Sequence, residues 1–112
     1  MRNIKQTEEF IQFFELLPTK TQTKILYALN IVATIKVVST KLVKRLVGTY
    51  FYELRISVDN EYRIILFCID KENIIEASEI LLLNGFLKKS TNDYEKAISK
   101  AEKILKKYET ED

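Results

Sequence analysis

Apolar residues at helical spacing mark the first predicted element of the chain. Phe10, Phe13 and Leu17 recur three to four residues apart, which is the spacing of one face of an α-helix. Thr7 precedes them, and Thr is a favoured N-cap residue. Pro18 follows them and cannot continue a helix. The pattern therefore predicts a helix that begins after Thr7 and stops at Pro18.

A second helix is predicted directly after the first. Apolar residues keep helical spacing from Thr19 to Lys36, and the β-branched run that starts at Ile35 leaves the end of this helix open as far as Ser39. We interpret the two helices as an αα-hairpin. The segment 41–46, which is amphipathic and basic on one side, is predicted to be a connector.

Strand spacing replaces helical spacing in the middle of the chain. Apolar and polar residues alternate from Tyr50 to Val58, which predicts a strand with one buried face and one mostly polar face. A continuous apolar run over 62–69 predicts a central strand, and a third strand is expected at 80–86. A last helix is predicted near the C-terminus. Its apolar positions are Tyr94, Ala97, Ile98, Ala101, Leu105 and Tyr108.

The loop between the first two strands decides which way two arginines point. A two-residue loop would pair Ile56 with Arg63 and mix charged residues with core residues on one face. A three-residue loop, 59–61, pairs Ser57 with Arg63 and keeps the charges of both strands on one face. The hydrophobic pattern selects this second register, because a slip of one residue turns every side chain over. Arg55 and Arg63 are then expected to be diagonal neighbours, roughly 7–8 Å apart.

Two interpretations of this arginine pair remain open. Two guanidinium groups on one face can converge on a single phosphate. Alternatively, each arginine pairs with a nearby glutamate, as Arg55 would with Glu53, which lies two residues away on the same face. The residues by themselves do not decide between the two.

Composition excludes several classes of function. The chain has 112 residues, 46% of them hydrophobic and 30% charged, which predicts one globular domain. With no His and a single Cys, Cys68, it cannot build a zinc finger, a Ser-His-Asp triad or an internal disulfide. Two Gly leave no glycine-rich phosphate loop. Neither a cofactor nor a metal is expected. Without a membrane span or a signal peptide, a cytoplasmic location is expected.

The net charge of +2 conceals an asymmetry between the two halves of the chain. Residues 1–50 contain 8 Lys or Arg against 3 Asp or Glu, whereas residues 51–112 contain 10 against 13. The basic excess lies at Lys36, Lys41, Lys44, Arg45 and Arg55, and an acidic run follows at Asp70, Glu72, Glu76 and Glu79. A polyanion would be attracted to the first cluster and repelled by the second, unless both clusters are simply solvated surface.

Three spaced motifs give the chain a resemblance to a known family. Residues 51–56 read FYELRI, residues 61–67 read EYRIILF, and residues 80–91 read ILLLNGFLKKST. Together they resemble the W-E-L-R, Y-R-hydrophobic and L-L-H-G-F-x-K-K-T motifs of RelE/ParE-superfamily toxins, which belong to bacterial type II toxin–antitoxin modules. The phage-derived HigB branch is the most similar. The resemblance covers residues 51–105.

The resemblance implies both a fold and an activity. The fold is α+β, a small twisted, mostly antiparallel sheet with two N-terminal helices packed on one face and a C-terminal helix, in one domain spanning residues 1–112. The implied activity is metal-independent cleavage of messenger RNA, usually on the ribosome, which inhibits translation. The implied partners are messenger RNA, the ribosome and a cognate antitoxin of helix-turn-helix type. Operator DNA would be bound only through that antitoxin.

The resemblance also implies roles for individual residues. Arg63 would stabilise the charge of the transition state, and Arg55 would bind phosphate or assist. Lys88 would contact the RNA backbone or supply a proton. Tyr94 would stack on a base or transfer a proton, unless it is only the first apolar residue of the last helix. Glu53 is expected to orient Arg55 rather than act as a base. The residues expected to bind the RNA backbone are Lys89, Lys44, Arg45 and Lys41.

Departures from the family pattern leave other functions open. Tyr52 replaces the usual Trp, and Asn84 replaces a His whose loss would matter if that His took part in catalysis. The segment 91–95 keeps only part of the usual T-P-x-x-E motif. These departures and the low net charge keep a non-nucleolytic alternative open, either a ParE-like gyrase inhibitor or an inactive relative. A third possibility is that the first and last helices mainly mediate oligomerisation.

Overall fold

A five-stranded sheet with helices on both faces organises the chain in the computed structural model, which describes residues 1–110. The elements are β1 (Asn3–Gln6), α1 (Glu8–Glu15), α2 (Thr19–Thr34), β2 (Val43–Arg45), β3 (Phe51–Val58), β4 (Asn60–Cys68), β5 (Glu79–Leu87) and α3 (Asn92–Thr110). The strand order is β1-β5-β4-β3-β2. Among the described strands β1 and β5 pair in parallel, and the other neighbours are antiparallel. The α+β fold expected from the sequence is confirmed.

Local sequence signals explain where the N-terminal helices begin and end. The Thr7 side chain accepts a hydrogen bond from the Phe10 N–H, as an N-cap should. Helix α2 starts directly after Pro18 and ends at Thr34, because Ile35 adopts an extended conformation. The second helix is therefore shorter than the periodicity alone allowed.

The Arg2 guanidinium closes the C-terminal end of α2. It is buried, and it donates hydrogen bonds to the carbonyls of Val32, Ile35 and Lys36 at that helix end. Its Nε also donates to the Ile74 carbonyl at 2.8 Å. Carbonyls at a helix C-terminus lack intrahelical donors and attract a cation. Arg2 therefore joins the N-terminus, α2 and the β4–β5 loop.

Two edge strands are absent from the sequence-based prediction. Segment 41–46 was predicted to be a connector. This is wrong for its central residues, because Val43–Arg45 pairs with Tyr52–Leu54 as strand β2. Residues 3–6 form the other edge strand, β1, beside β5. Both segments are short and largely polar, so their extended form depends on the neighbouring strand rather than on their own pattern.

The β3–β4 hairpin is tighter than predicted. Val58 pairs with Asn60, so the turn centres on Asp59, whose φ is 62°. Asp tolerates this left-handed conformation better than most residues. The predicted three-residue loop is therefore wrong, and Arg55 lies directly opposite Arg63 instead of diagonally. The shift is two residues, which preserves the predicted division of side chains between the two faces.

Each face of the sheet contributes to its own hydrophobic core. Helices α1 and α2 cover one face, where Phe10, Ile25 and Val32 pack against Leu54 and the alternating apolar residues of the other strands. Helix α3 covers part of the second face, through Ala97, Ala101 and Ile104. Phe51 and Ile65 are buried there, so the second face of β3 is less polar than predicted. The first and last helices thus both contribute to the core.

The two-residue spacing of β5 is interrupted where it passes α1. Ile65 pairs with Asn84 but Leu66 pairs with Leu82, which leaves one extra residue in β5. Beyond this bulge Gly85 lies against Phe13 of α1. A Cβ at Gly85 would lie 2.2 Å from the Phe13 Cε2 atom. The glycine of the Asn-Gly-Phe motif is therefore required by packing.

Replacing Gly85 by Ala is expected to lower the free energy of unfolding by about 1–3 kcal/mol, because the new methyl group overpacks the contact with Phe13. Urea unfolding of the wild type and the variant measures the difference. Gly85→Ala in a Phe13→Leu background is the matched control, since the aromatic ring is then absent. An equal cost in both backgrounds would show that the ring is not the cause.

Candidate active site

A polar network joins β3, β4 and α3 on the second face of the sheet. The Arg63 Nε donates a hydrogen bond to the Tyr94 Oη at 3.1 Å and lies 3.5 Å from the Glu53 Oε1. The Tyr94 hydroxyl donates to the same Glu53 oxygen at 3.2 Å. The Arg63 side chain is only 2% exposed. Because a buried guanidinium must be compensated, these contacts fix the three elements relative to one another.

Arg55 shares the same carboxylate from the exposed side of the network. Its Nε lies 3.4 Å from the Glu53 Oε1, and its side chain is 38% exposed. The geometry agrees with the second interpretation of the arginine pair, since both arginines lie against Glu53. Their convergence on a phosphate stays a prediction. Glu53 is itself buried, and its position matches that of a residue that orients both arginines.

The end of β5 brings Lys88 to the network. The Lys88 Nζ lies 5.8 Å from the centre of the Tyr94 ring, within the range of a cation–π contact. The Tyr94 ring also packs edge-on against Phe86, with ring centres 5.4 Å apart. Tyr94 is therefore both an apolar residue of α3 and a polar residue of the network. Its role in base stacking or proton transfer stays a prediction.

Glu61 completes the network, and the sequence analysis placed it in a turn rather than at the site. It lies in β4, opposite Ser57, and its Oε1 accepts a hydrogen bond from the Arg63 Nη1 at 3.2 Å. The Ser57 hydroxyl donates to its other oxygen. Residues two apart in a strand share a face, so the spacing of Glu61 and Arg63 could have indicated that they are neighbours. That inference requires Glu61 to be in the strand, and the predicted three-residue loop placed it in the turn.

The surroundings of the network fix the protonation of its members. Burial raises the pKa of the Tyr94 phenol above its usual value, and the Glu53 carboxylate adds to this, although Arg63 acts in the opposite sense. Burial alone would lower the pKa of Arg63, but hydrogen bonds with Tyr94 and Glu61 raise it overall. At neutral pH Tyr94 is therefore a neutral phenol and Arg63 a cation.

The other basic residues singled out from the sequence do not all lie on the face that carries the network. Lys44 is exposed and opposite Glu53 across β2 and β3, so it projects from the same face. Arg45 projects from the other face, where its guanidinium lies over the Tyr52 ring at 5.6 Å. Lys41 is exposed in the turn before β2. Lys89 is exposed after β5, and its N–H donates to the Asp93 carboxylate.

Asn84 lies beneath α3 and holds it to the sheet. It is buried, and its Nδ2 donates a hydrogen bond to the Ala97 carbonyl at 3.1 Å. Its Oδ1 has no hydrogen-bond partner among the described residues. Because Ala97 lies one helical turn after Tyr94, this bond helps to set the position of Tyr94.

The acidic run lies at the opposite end of the sheet from the network. Residues 69–78 connect the end of β4 to the start of β5, whereas Arg63 and Lys88 lie at the other ends of these strands. The hydrogen bond from Ser78, with backbone N–H groups of Ser78 and Glu79, lowers the pKa of Asp70 to about 2. Asp70 therefore stabilises the loop that it lies in. The acidic run is separated along the strands from Arg63 and Lys88.

Groups suited to other chemistry are few within residues 1–110. That part of the chain contains no cluster of three or more metal-ligating His, Cys, Asp or Glu side chains. None of its helices is both long enough and apolar enough to cross a membrane. Cys68 is a buried free thiol, and burial raises its pKa to about 11, which makes it a poor nucleophile.

Comparisons with known proteins agree with this architecture. Residues 12–106 match the family described as phage-derived protein Gp49-like, so the chain belongs to that family. Its fold is similar to that of one chain in the crystal structure of the intact E. coli RelBE toxin–antitoxin complex. The TM-score is 0.61 at 13% identity, and the match covers 80% of this chain and 100% of that chain. The comparison with curated proteins gives no match. The RelE-superfamily resemblance inferred from the three motifs is confirmed.

Replacing Glu53 by Ala is expected to lower the free energy of unfolding by about 3 kcal/mol, because it removes the buried carboxylate that compensates Arg63. Arg55→Ala is the matched comparison and should cost less than about 1 kcal/mol, since this half-exposed side chain is solvated in any case. Chemical denaturation of both variants at pH 7 measures the contrast. Equal costs would contradict a structural role for the Glu53–Arg63 pair.

Proposed function

We propose that the protein is the toxin of a type II toxin–antitoxin module and that it cleaves messenger RNA. The observation that carries this proposal is the buried, charged Arg63, held beside the neutral phenol of Tyr94 with Arg55 and Lys88 next to them. Membership of the Gp49-like family and the RelE-like fold support the same function. Cleavage on the ribosome is part of the proposal.

The reaction requires groups of the kinds found in the network. In RNA cleavage without a metal, the 2′-hydroxyl gives up its proton to water and attacks the neighbouring phosphate, and the bond between phosphorus and the 5′-oxygen breaks. The developing phosphorane charge must be stabilised by cations. Arg63 and Arg55 supply two guanidinium groups on one face of the sheet. A planar guanidinium binds two phosphate oxygens at once, which suits this role better than a single ammonium group.

Tyr94 is the proposed donor of a proton to the leaving 5′-oxygen. Its raised pKa keeps the phenol protonated at neutral pH, which favours a proton donor over a proton acceptor. Lys88, which lies over the ring, contacts the RNA backbone in this proposal. Asn84 does not take part in the chemistry in this proposal, because its amide is engaged with α3.

The surrounding basic residues bind the RNA chain in this proposal. Lys44 extends the positive face beyond Glu53, and Lys89 extends it beyond Lys88. Lys41, in the turn before β2, would contact a more distant phosphate, and Arg45, which projects from the other face, would contact RNA where the chain passes around the edge of the sheet. The separation of these residues from the acidic run gives a locally basic surface despite a net charge of only +2.

A cognate antitoxin is the proposed protein partner, and the cytoplasm is the proposed location. The structural match lies in a toxin–antitoxin complex, which supports such a partner for this chain. The antitoxin is proposed to be of helix-turn-helix type and to provide the contact with operator DNA.

A non-nucleolytic toxin that inhibits gyrase is the second candidate. The observation in its favour is that the Arg63 side chain is only 2% exposed, so its guanidinium is not openly presented to a phosphate. Fold alone does not separate the two activities. They differ in what happens to transcripts and to DNA in a cell that produces the protein.

Lys88→Ala and Arg63→Lys are each expected to relieve growth arrest when the protein is expressed without its antitoxin. Loss of either group should slow RNA cleavage by about 100-fold, the cost typical of one lost electrostatic contact. Mapping of RNA 5′ ends after brief induction measures cleavage. Lys71→Ala, in the distant acidic loop, is the control and should leave arrest intact. A DNA-damage response with intact transcripts would instead support gyrase inhibition.

Tyr94→Phe is expected to lower kcat for RNA cleavage by about 10–100-fold while changing KM little, because the ring remains whereas the proton donor is lost, together with its hydrogen bonds to Arg63 and Glu53. Single-turnover cleavage of a short RNA, with binding measured separately, gives the two quantities. A variant that cleaves as fast as the wild type would exclude Tyr94 as the proton donor.

A further inference from the structure

Arg63 is enclosed by two carboxylates that differ in their access to solvent. The Glu53 side chain is 6% exposed, and three groups converge on its Oε1. The Glu61 side chain is 50% exposed and lies at the end of the hairpin. A carboxylate that is already half in water can leave its partner without first having to be rehydrated, whereas a buried one cannot. Glu61 is therefore the exchangeable partner of Arg63.

The groups around the Glu61 carboxylate are those that bind a phosphate. The Arg63 Nη1 and the Ser57 hydroxyl both donate hydrogen bonds to it. Lys88 lies across the strand pair from Glu61, since its N–H donates to the Glu61 carbonyl at 2.8 Å. A guanidinium and a hydroxyl thus contact one anionic group at the open end of the network, and Lys88 lies on the neighbouring segment of backbone.

The charge state of Glu61 agrees with this arrangement. Hydrogen bonds from Ser57 and Arg63 lower the pKa of Glu61 below its ordinary value, and Lys88 contributes in the same direction. The carboxylate is therefore ionised at neutral pH. A phosphate that approached Arg63 would have to compete with this negative charge for the same donors.

We propose that Ser57, Arg63 and Lys88 form a binding site for a phosphodiester group of RNA, and that the Glu61 carboxylate occupies this site until the substrate displaces it. The proposal rests on the proposed function for the identity of the ligand, but the site is defined by its own contacts. Glu61 then sets how strongly RNA must bind before Arg63 becomes available.

Glu61→Gln tests the proposal because it keeps the size and hydrogen-bonding capacity of the side chain and removes its charge. The probes are a short RNA methylated at every 2′-oxygen, which cannot be cleaved by 2′-hydroxyl attack, and inorganic phosphate. At fixed ionic strength we expect the variant to bind both about fivefold to tenfold more tightly than the wild type. A shift of the arginine side-chain resonances on phosphate addition would identify the cation that binds.

Glu76→Gln is the matched control, since it removes the same charge from an exposed residue in the distant acidic loop. Its affinity should change less than about twofold, as expected for a screened remote charge. Equal or weaker binding by Glu61→Gln, in a protein with unchanged circular dichroism, would overturn the proposal, and so would equal gains in both variants. Cleavage of unmodified RNA is assayed separately. Tighter binding by Glu61→Gln, with no RNA cleavage by the wild type, would overturn the nuclease and leave the anion site standing.

Discussion

The burial of the Arg63 guanidinium is the constraint on which the rest of the candidate site depends. A cation with 2% of its side chain exposed is stable only if anions and acceptors surround it. Glu53 on β3, Glu61 on β4 and Tyr94 on α3 meet that requirement. The charge therefore helps to fix the position of α3 on the sheet, together with the apolar contacts of that helix.

The two faces of the sheet differ in the polarity of their side chains. The face beneath α1 and α2 is packed with apolar side chains. The other face is apolar only beneath α3, and it becomes polar beyond the N-terminal end of that helix, where Tyr94 lies. Asn84 belongs to this boundary, because it fastens α3 to β5 at the turn after Tyr94. Its role in the structure is positional, and an amide is able to fill that role.

The sequence predicted the helices, the central strands and the division of side chains between faces, because all of these depend on periodicity. The hairpin register was wrong by two residues, yet Arg55 and Arg63 stayed on one face, since a strand repeats every two residues. Strands β1 and β2 were not predicted, because their extended conformation depends on pairing with a neighbouring strand and not on a local pattern. Arg2 and Glu61 were missed for a similar reason, since their partners are fixed only by the tertiary structure.

A buried cation that is to bind substrate faces two opposing requirements. It needs a permanent counter-ion so that the protein folds, and it needs a free position so that a phosphate can enter. The structure assigns these requirements to different carboxylates, since Glu53 is enclosed by its partners and Glu61 lies half in solvent. One carboxylate could not meet both, because a counter-ion that leaves easily stabilises the folded protein little. Glu61 and Arg63 lie two residues apart in β4. The exchange of the Glu61 carboxylate for a phosphate therefore requires only the Glu61 side chain to move, and the sheet stays unchanged.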